Sequence, residues 1–207
     1  MGKLEYSSDV AFSPAVKAVQ ERKGSRAGYH AMETKGGWRA SITPELAAYI
    51  SERNSLFLAT ASADGQPTIQ HRGGPKGFVK VLDDKTLGFA DFRGNRQYIS
   101  EGNLGENDKA MLFLMDWRHR SRVKIWGTAK FVEADPDLLA KLMPAEQFRD
   151  YPARPEQALI FRVTAWDTNC PQHIPLLLEA EEVAALLAAR DTRIAELEAQ
   201  LAAAQRV

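Results

Sequence analysis

Residues 77–104, GFVKVLDDKTLGFADFRGNRQYISEGNL, constrain this chain more than any other stretch, because strand patterns and a helix meet there through one short turn. A basic strand, Gly77–Leu82, turns at Asp83-Asp84 and returns as Thr86–Ala90. Asp91-Phe92-Arg93-Gly94-Asn95 then leads into a short helix read from Arg96 to Leu104. Two strands that deliver a helix N-terminus leave unpaired backbone N–H groups pointing outward, with Arg96 beside them and Lys80 reaching from the neighbouring strand. Such a place suits a phosphate. It also suits an ordinary helix cap at Asn95 with solvated cations, and spacing alone leaves both readings open.

The flanking segments extend the strand pattern. Thr43 caps and Pro44 starts a helix running to about Arg53, Ser55–Ser62 reads as a buried strand, and Asp64-Gly65 is a hairpin turn before Pro67–Arg72. Three glycines and a proline in His71–Gly77 mark either a corner of the sheet or a close backbone approach to a flat ligand. Lys109–Asp116 is a near-continuous apolar strand, read as covered on both faces, as at the centre of a barrel or at a dimer interface, and Val123–Val132 follows the cationic turn Trp117–Arg122. Asp135-Pro136 opens a helix that ends near Met143, and Gln157–Asp167 is the last strand.

The two ends differ from this middle. Residues 1–40 read as an N-terminal arm with one weak helix around Pro14–Arg22, with Ser13 as cap, either packed on a partner, crossing the barrel or loosely ordered. Residues 41–177 read as the main domain, and 178–207 as a C-terminal helix. In that helix Val183, Leu187, Arg190, Ile194, Leu197, Leu201 and Ala204 alternate steps of four and three, the period of a coiled coil; Arg190 breaks the apolar seam, which weakens it or fixes its register, and one face docked on its own domain would use the same residues. At 207 residues with 44% hydrophobic content, the chain can bury one sizeable core. Its 27 basic and 27 acidic residues balance, which gives no electrostatic case for nucleic acid or an anionic membrane. The single cysteine, Cys170, excludes an intrachain disulfide, and with no apolar run of membrane length the expectation is cytoplasmic. One cysteine near His173 supplies too few ligands for a metal, and a Cys–His nucleophile would need geometry that sequence adjacency does not provide.

The stretch from Gly77 onward, continued through Met111–Val132, resembles the pyridoxamine 5′-phosphate oxidase-like family of FMN-binding split β-barrels. That resemblance implies an α+β, mainly β fold: a split barrel with peripheral helices and the long C-terminal helix. It implies FMN as cofactor, bound between the two subunits of a homodimer. Residue by residue, it places Pro75, Lys76, Gly77, Phe78 and Val79 along the flavin, with Lys80 toward phosphate or ring. Ala90 and Asp91 would lie under the flavin, with Asn95, Arg96 and Gln97 at its phosphate, Gln97 standing where the oxidases carry lysine. Arg122, in a place usually held by glutamine, would face the ring, where a cation stabilises reduced flavin. Asn169, Gln172 and His173 would line the cleft.

The family's basic Arg-x-His-Asp-Arg-like ending, which grips the vitamin phosphate, is absent. The implied function is therefore an FMN-dependent oxidoreductase acting on a small molecule other than pyridoxamine phosphate, with His71, His119 or His173 as proton donor. A flavin or haem carrier or sensor on the same fold is the alternative, and related barrels also use deazaflavin. A coiled-coil interaction protein with the barrel as scaffold is a third reading.

Overall fold

The computed structural model describes residues 4–152, 154–168 and 171–205. It divides into two compact units, Met1–Met115 with Arg122–Cys170, and Asp116–Ser121 with Pro171–Val207. In the first unit, helices α1 (Pro14–Arg22), α2 (Arg26–Thr34) and α3 (Pro44–Ser51) precede strands β1 (Ser55–Ala61) and β2 (Pro67–Gly73). Then come β3 (Lys80–Val81), β4 (Thr86–Phe92), α4 (Ile99–Glu106), β5 (Lys109–Asp116), β6 (Ser121–Val132), α5 (Pro136–Leu142), α6 (Ala145–Phe148) and β7 (Pro155–Thr168). The strands form one seven-stranded sheet in the order β2-β1-β5-β6-β7-β4-β3.

Local chemistry sets several boundaries as the sequence predicts. The Ser13 and Thr43 hydroxyls accept from the N–H groups of Val16 and Leu46, each with a proline in the first helical position. Gly65 takes a positive φ of 91° in the hairpin between β1 and β2. Alternate residues of the strands point inward: Leu56 and Leu58, Leu87 and Phe89, Leu112 and Leu114, Val123 and Ile125, Phe161 and Val163 make the core.

The sheet curls. Between Trp126 and Gly127 the β6–β7 register shifts by one residue, a β-bulge. A Cβ on Gly127 would stand 2.0 Å from the Arg162 carbonyl oxygen, so only glycine lets the two long strands approach there. As a result β2, at one end of the strand order, comes back to β4 near the other. Arg72 Nε of β2 lies 2.9 Å from Asp91 Oδ1 of β4, and Ser100 of α4 donates to Gln70 of β2 at 2.7 Å. The Arg72 Nε–H is not directed at a hydrogen-bond acceptor, so the contact with Asp91 is ionic. This is the split barrel expected from the resemblance.

Two expectations need correction. Only Lys80–Val81 of the segment 77–82 pairs as strand, because Pro75-Lys76-Gly77-Phe78 forms a turn closed by the Phe78 N–H donating to the Pro75 carbonyl at 2.9 Å, with Gly77 at φ 74° and its N–H donated to the Arg53 carbonyl. Helix α4 begins at Ile99 rather than Arg96, since Arg96 (φ 61°) and Tyr98 (φ 51°) are left-handed and cannot continue a helix. Strand β5 alternates between a buried face and a half-exposed one carrying Met111, Phe113 and Met115, so within one chain a single face is fully covered. The arm is ordered on its own sheet, the barrel-crossing alternative, and its helix α2 was not foreseen. Glu33, 2% exposed, is held by Arg26 and accepts from Ser8 at 3.1 Å, and the Arg26 hydrogen bond keeps its carboxyl below the usual carboxylate range despite burial. Trp38 then stacks on Trp126 of β6 with centroids 4.7 Å apart.

In the second unit, Asp116 accepts from the His119 backbone N–H at 2.9 Å and lies 3.0 Å from its Nδ1, Arg118 pairs with Glu182, and α7 (Ala180–Ala204) begins after Glu179. Among the described residues no helix is long and apolar enough to cross a membrane.

Two outcomes test this construction. Gly127→Ala should destabilise the fold by about 3 kcal/mol, read from denaturant midpoints, because the clash is with backbone and cannot be relieved by a rotamer. Burial, opposed by the Arg72 charge, raises the Asp91 carboxyl above its ordinary value of 3.8. The folded state thus holds this proton more tightly than the unfolded chain, and stability attributable to Asp91 falls as pH rises from 3.8 through the raised value. The stability of wild type minus that of Asp91→Asn should fall across that window and then level off; a difference that grows with pH would contradict the burial described here.

Candidate functional site

The gap where the curled sheet fails to close is a cavity of about 360 Å³. One wall is the end of β2, Gln70 to Gly73, and the other is the end of β4 with the loop to α4, Ala90 to Tyr98. Tyr151 and Phe131 complete it on the apolar side, where Phe92 also packs against Tyr151 at 5.4 Å.

The loop owes its shape to local bonding. Asn95 accepts the Gln97 N–H on its side-chain oxygen at 3.3 Å, a turn made by the asparagine itself. Arg96 Nε donates to the Tyr98 hydroxyl at 3.2 Å, and that hydroxyl donates to Glu156 at 2.9 Å. These bonds hold two non-glycine residues in a left-handed backbone that costs about 1 kcal/mol or more at each, and such strain concentrates where ligands bind. Tyr98 gives α4 no side-chain cap. The N-terminus of α4 therefore stands beside the cavity with its first-turn N–H groups uncapped by the preceding residue.

The charges divide into two sets. Arg72 is committed to Asp91, and Glu101 accepts from Gln157 at 3.1 Å. The Arg93 side chain makes no hydrogen bond or ion pair among the described residues, and Arg96 uses only Nε, toward a neutral hydroxyl that raises its already high pKa. Two guanidiniums facing one opening without carboxylate partners suit an anion, above all the planar bidentate fit to a phosphate. These residues fit the phosphate of FMN as the anion.

Of the residues singled out from sequence, the cavity brings together Phe78, Ala90, Asp91, Asn95, Arg96 and Gln97. It does not include Pro75, Lys76, Gly77, Val79 or Lys80. Lys76 pairs with Glu52, and Val79 is in the core. Lys80 Nζ donates to the Gly77 carbonyl at 2.9 Å and to Gln147 of α6, and burial lowers its pKa. Lys80 thus directs two of its N–H groups to the Gly77 turn and to α6, an element the sequence reading lacked. Arg122 lies on β6 outside the cavity lining, with its Nε buried and without a hydrogen-bond partner among the described residues. Gln172 and His173 belong to the second unit, and Asn169 and Cys170 lie outside the described residues.

Arg93, Arg72 and Gln70 were missed as wall residues. The signal available for Arg93 was its place between Asp91 and Gly94; Gln70 and Arg72 carried none, since nothing local tells β2 that it will face β4. His71, one of three histidines considered as proton donors, lines the cavity, whereas His119 is bonded to Asp116 in the second unit.

A family model described as pyridoxamine 5′-phosphate oxidase matches residues 42–170. Among solved structures, HupZ from Group A Streptococcus is 19% identical with a TM-score of 0.49, over 66% of this chain and 99% of that one. An FMN-binding protein from Syntrophomonas wolfei subsp. wolfei is 12% identical with a TM-score of 0.44, over 80% and 99%. HutZ, the haem storage protein from Vibrio cholerae, is 17% identical with a TM-score of 0.42, over 59% and 89%. No curated protein matches the sequence. Because the matched segment takes in the cavity walls on β2 and β4, the loop between them and every strand of the sheet, the chain belongs to the pyridoxamine 5′-phosphate oxidase family.

Proposed function

We propose that this protein is an FMN-dependent oxidoreductase acting on a small molecule other than pyridoxamine phosphate. The observation that carries the reading is the pair of guanidiniums, Arg93 and Arg96, left without carboxylate partners at the β4–α4 loop of a chain that belongs to a family commonly binding FMN. In this reading Arg96 and Arg93 hold the flavin phosphate, supported by the N–H groups at the start of α4. Bound FMN would supply the redox chemistry at its ring.

The chain's own residues then orient and protonate. Phe78, fixed by an edge contact to Phe89 at 5.7 Å, and Ala90 form the apolar floor on which a planar ring rests. His71 stands in the wall as proton donor to a bound substrate. Arg122, whose buried Nε lacks a hydrogen-bond partner in its own chain among the described residues, would serve the ring of FMN held between two copies of the chain, from the second copy. The missing basic ending in the segment after β7 is what argues against pyridoxamine phosphate as substrate.

The purified protein should be yellow with a flavin spectrum, and NADH or NADPH should bleach it; flavin that binds but never turns over would leave a carrier. Arg96→Ala should weaken FMN binding by about 1.5–3 kcal/mol, roughly ten- to a hundredfold, in a fluorescence titration. Unchanged affinity in both Arg96→Ala and Arg93→Ala would remove the phosphate seat from this loop.

A further inference from the structure

Helix α7 spans Ala180–Ala204 and buries none of its residues. Along it Val183, Leu187, Ile194, Leu197 and Leu201 are 39–59% exposed and fall on one seam with Arg190 and Ala204. The steps along that seam alternate four and three over its whole length, interrupted in apolar character only by Arg190, a spacing that a face docked on a globular surface does not require and a two-helix supercoil does. Taking Leu187, Ile194 and Leu201 as a positions makes Val183, Arg190, Leu197 and Ala204 the d positions. Asp191 and Glu198 are then e positions and Arg193 a g position.

The charges choose an orientation. In a parallel, in-register pair each g residue faces the e residue of the next heptad on the other helix, which sets Arg193 against Glu198. A d residue faces its own copy across the seam and packs beside the partner's e residue, so each Arg190 of the d layer approaches the other and is set against an Asp191 that compensates its charge. Among the described residues the side chains of Arg190, Asp191 and Glu198 make no hydrogen bond or ion pair, and Arg193 pairs only with Glu196 on its own helix, an exposed i,i+3 contact at 2.7 Å. An antiparallel pair would face e with e and bring Asp191 toward Glu198. We infer that α7 pairs with α7 of a second copy as a parallel, in-register coiled coil, with Arg190–Asp191 and Arg193–Glu198 as its cross-chain ion pairs. The inference does not depend on flavin binding.

The test uses the full chain in a Cys170→Ser background, with Leu187→Cys or Leu201→Cys introduced separately and Thr192→Cys on the outward face as reference. After oxidation with diamide, both seam variants should run as covalent homodimers on a non-reducing gel and Thr192→Cys should not. The two seam positions are about 21 Å apart along the helix, so no antiparallel register can set both opposite their own copies. Crosslinking at only one of them overturns the orientation, and crosslinking at neither above the Thr192→Cys reference overturns the pairing. Within the Leu201→Cys variant, Arg193→Glu should cut the crosslinking rate roughly two- to fivefold, and adding Glu198→Arg should restore it. Failure of the second change to restore it would overturn the cross-chain ion pair.

Discussion

Arg72 and Asp91 meet at 2.9 Å although they sit on strands near opposite ends of the sheet order. That contact exists only because the sheet curls, and the curl runs through Gly127, where the backbone of β6 comes closer to β7 than any side chain would allow. Bringing a guanidinium and a carboxylate out of water costs about as much as their attraction returns, and the raised Asp91 carboxyl records that cost. The pair acts chiefly by position. It fixes where the two ends of the barrel stop approaching, and so how wide the cavity between them remains.

The same economy separates the cations around the gap. Arg72, Lys76 and Lys80 each face a partner within the chain, respectively Asp91, Glu52 and Gln147, and their charge or donor capacity is used in holding the fold. Arg93 and Arg96 have no carboxylate partner among the described residues and share the loop with two strained backbone positions. A binding site needs donors that folding leaves unsatisfied. By that criterion the loop after β4 is the part of the barrel we propose as the anion seat.

Legibility in the sequence followed the range of the interactions. The caps at Ser13 and Thr43, the Asp64-Gly65 turn and the alternation of β6 rest on contacts between residues a few positions apart, and they stand where the pattern puts them. The start of α4 was misplaced because Arg96 and Tyr98 adopt a left-handed backbone that neither residue type favours, stabilised by a hydroxyl bond to Glu156 on a distant strand. Lys80 was read toward the phosphate or the ring without sight of α6, which was not anticipated. The place of the arm was left open because its main anchors, a nearly buried glutamate and a tryptophan stacked on β6, are long-range contacts without a periodic signal.

By itself the sequence determined most of the strands, helices α1, α3, α5 and α7, the family motif around residues 77–104 and the four-three spacing of α7 with Arg190 interrupting its apolar seam, since propensity, turn chemistry and periodicity act between neighbours in the chain. Tertiary structure alone decided which cations stay free, that β2 supplies the second wall of the cavity and that Arg93 stands in it. Those outcomes depend on the curl of a seven-stranded sheet, and where its two ends meet is a sum of small twists and one bulge that no local stretch encodes.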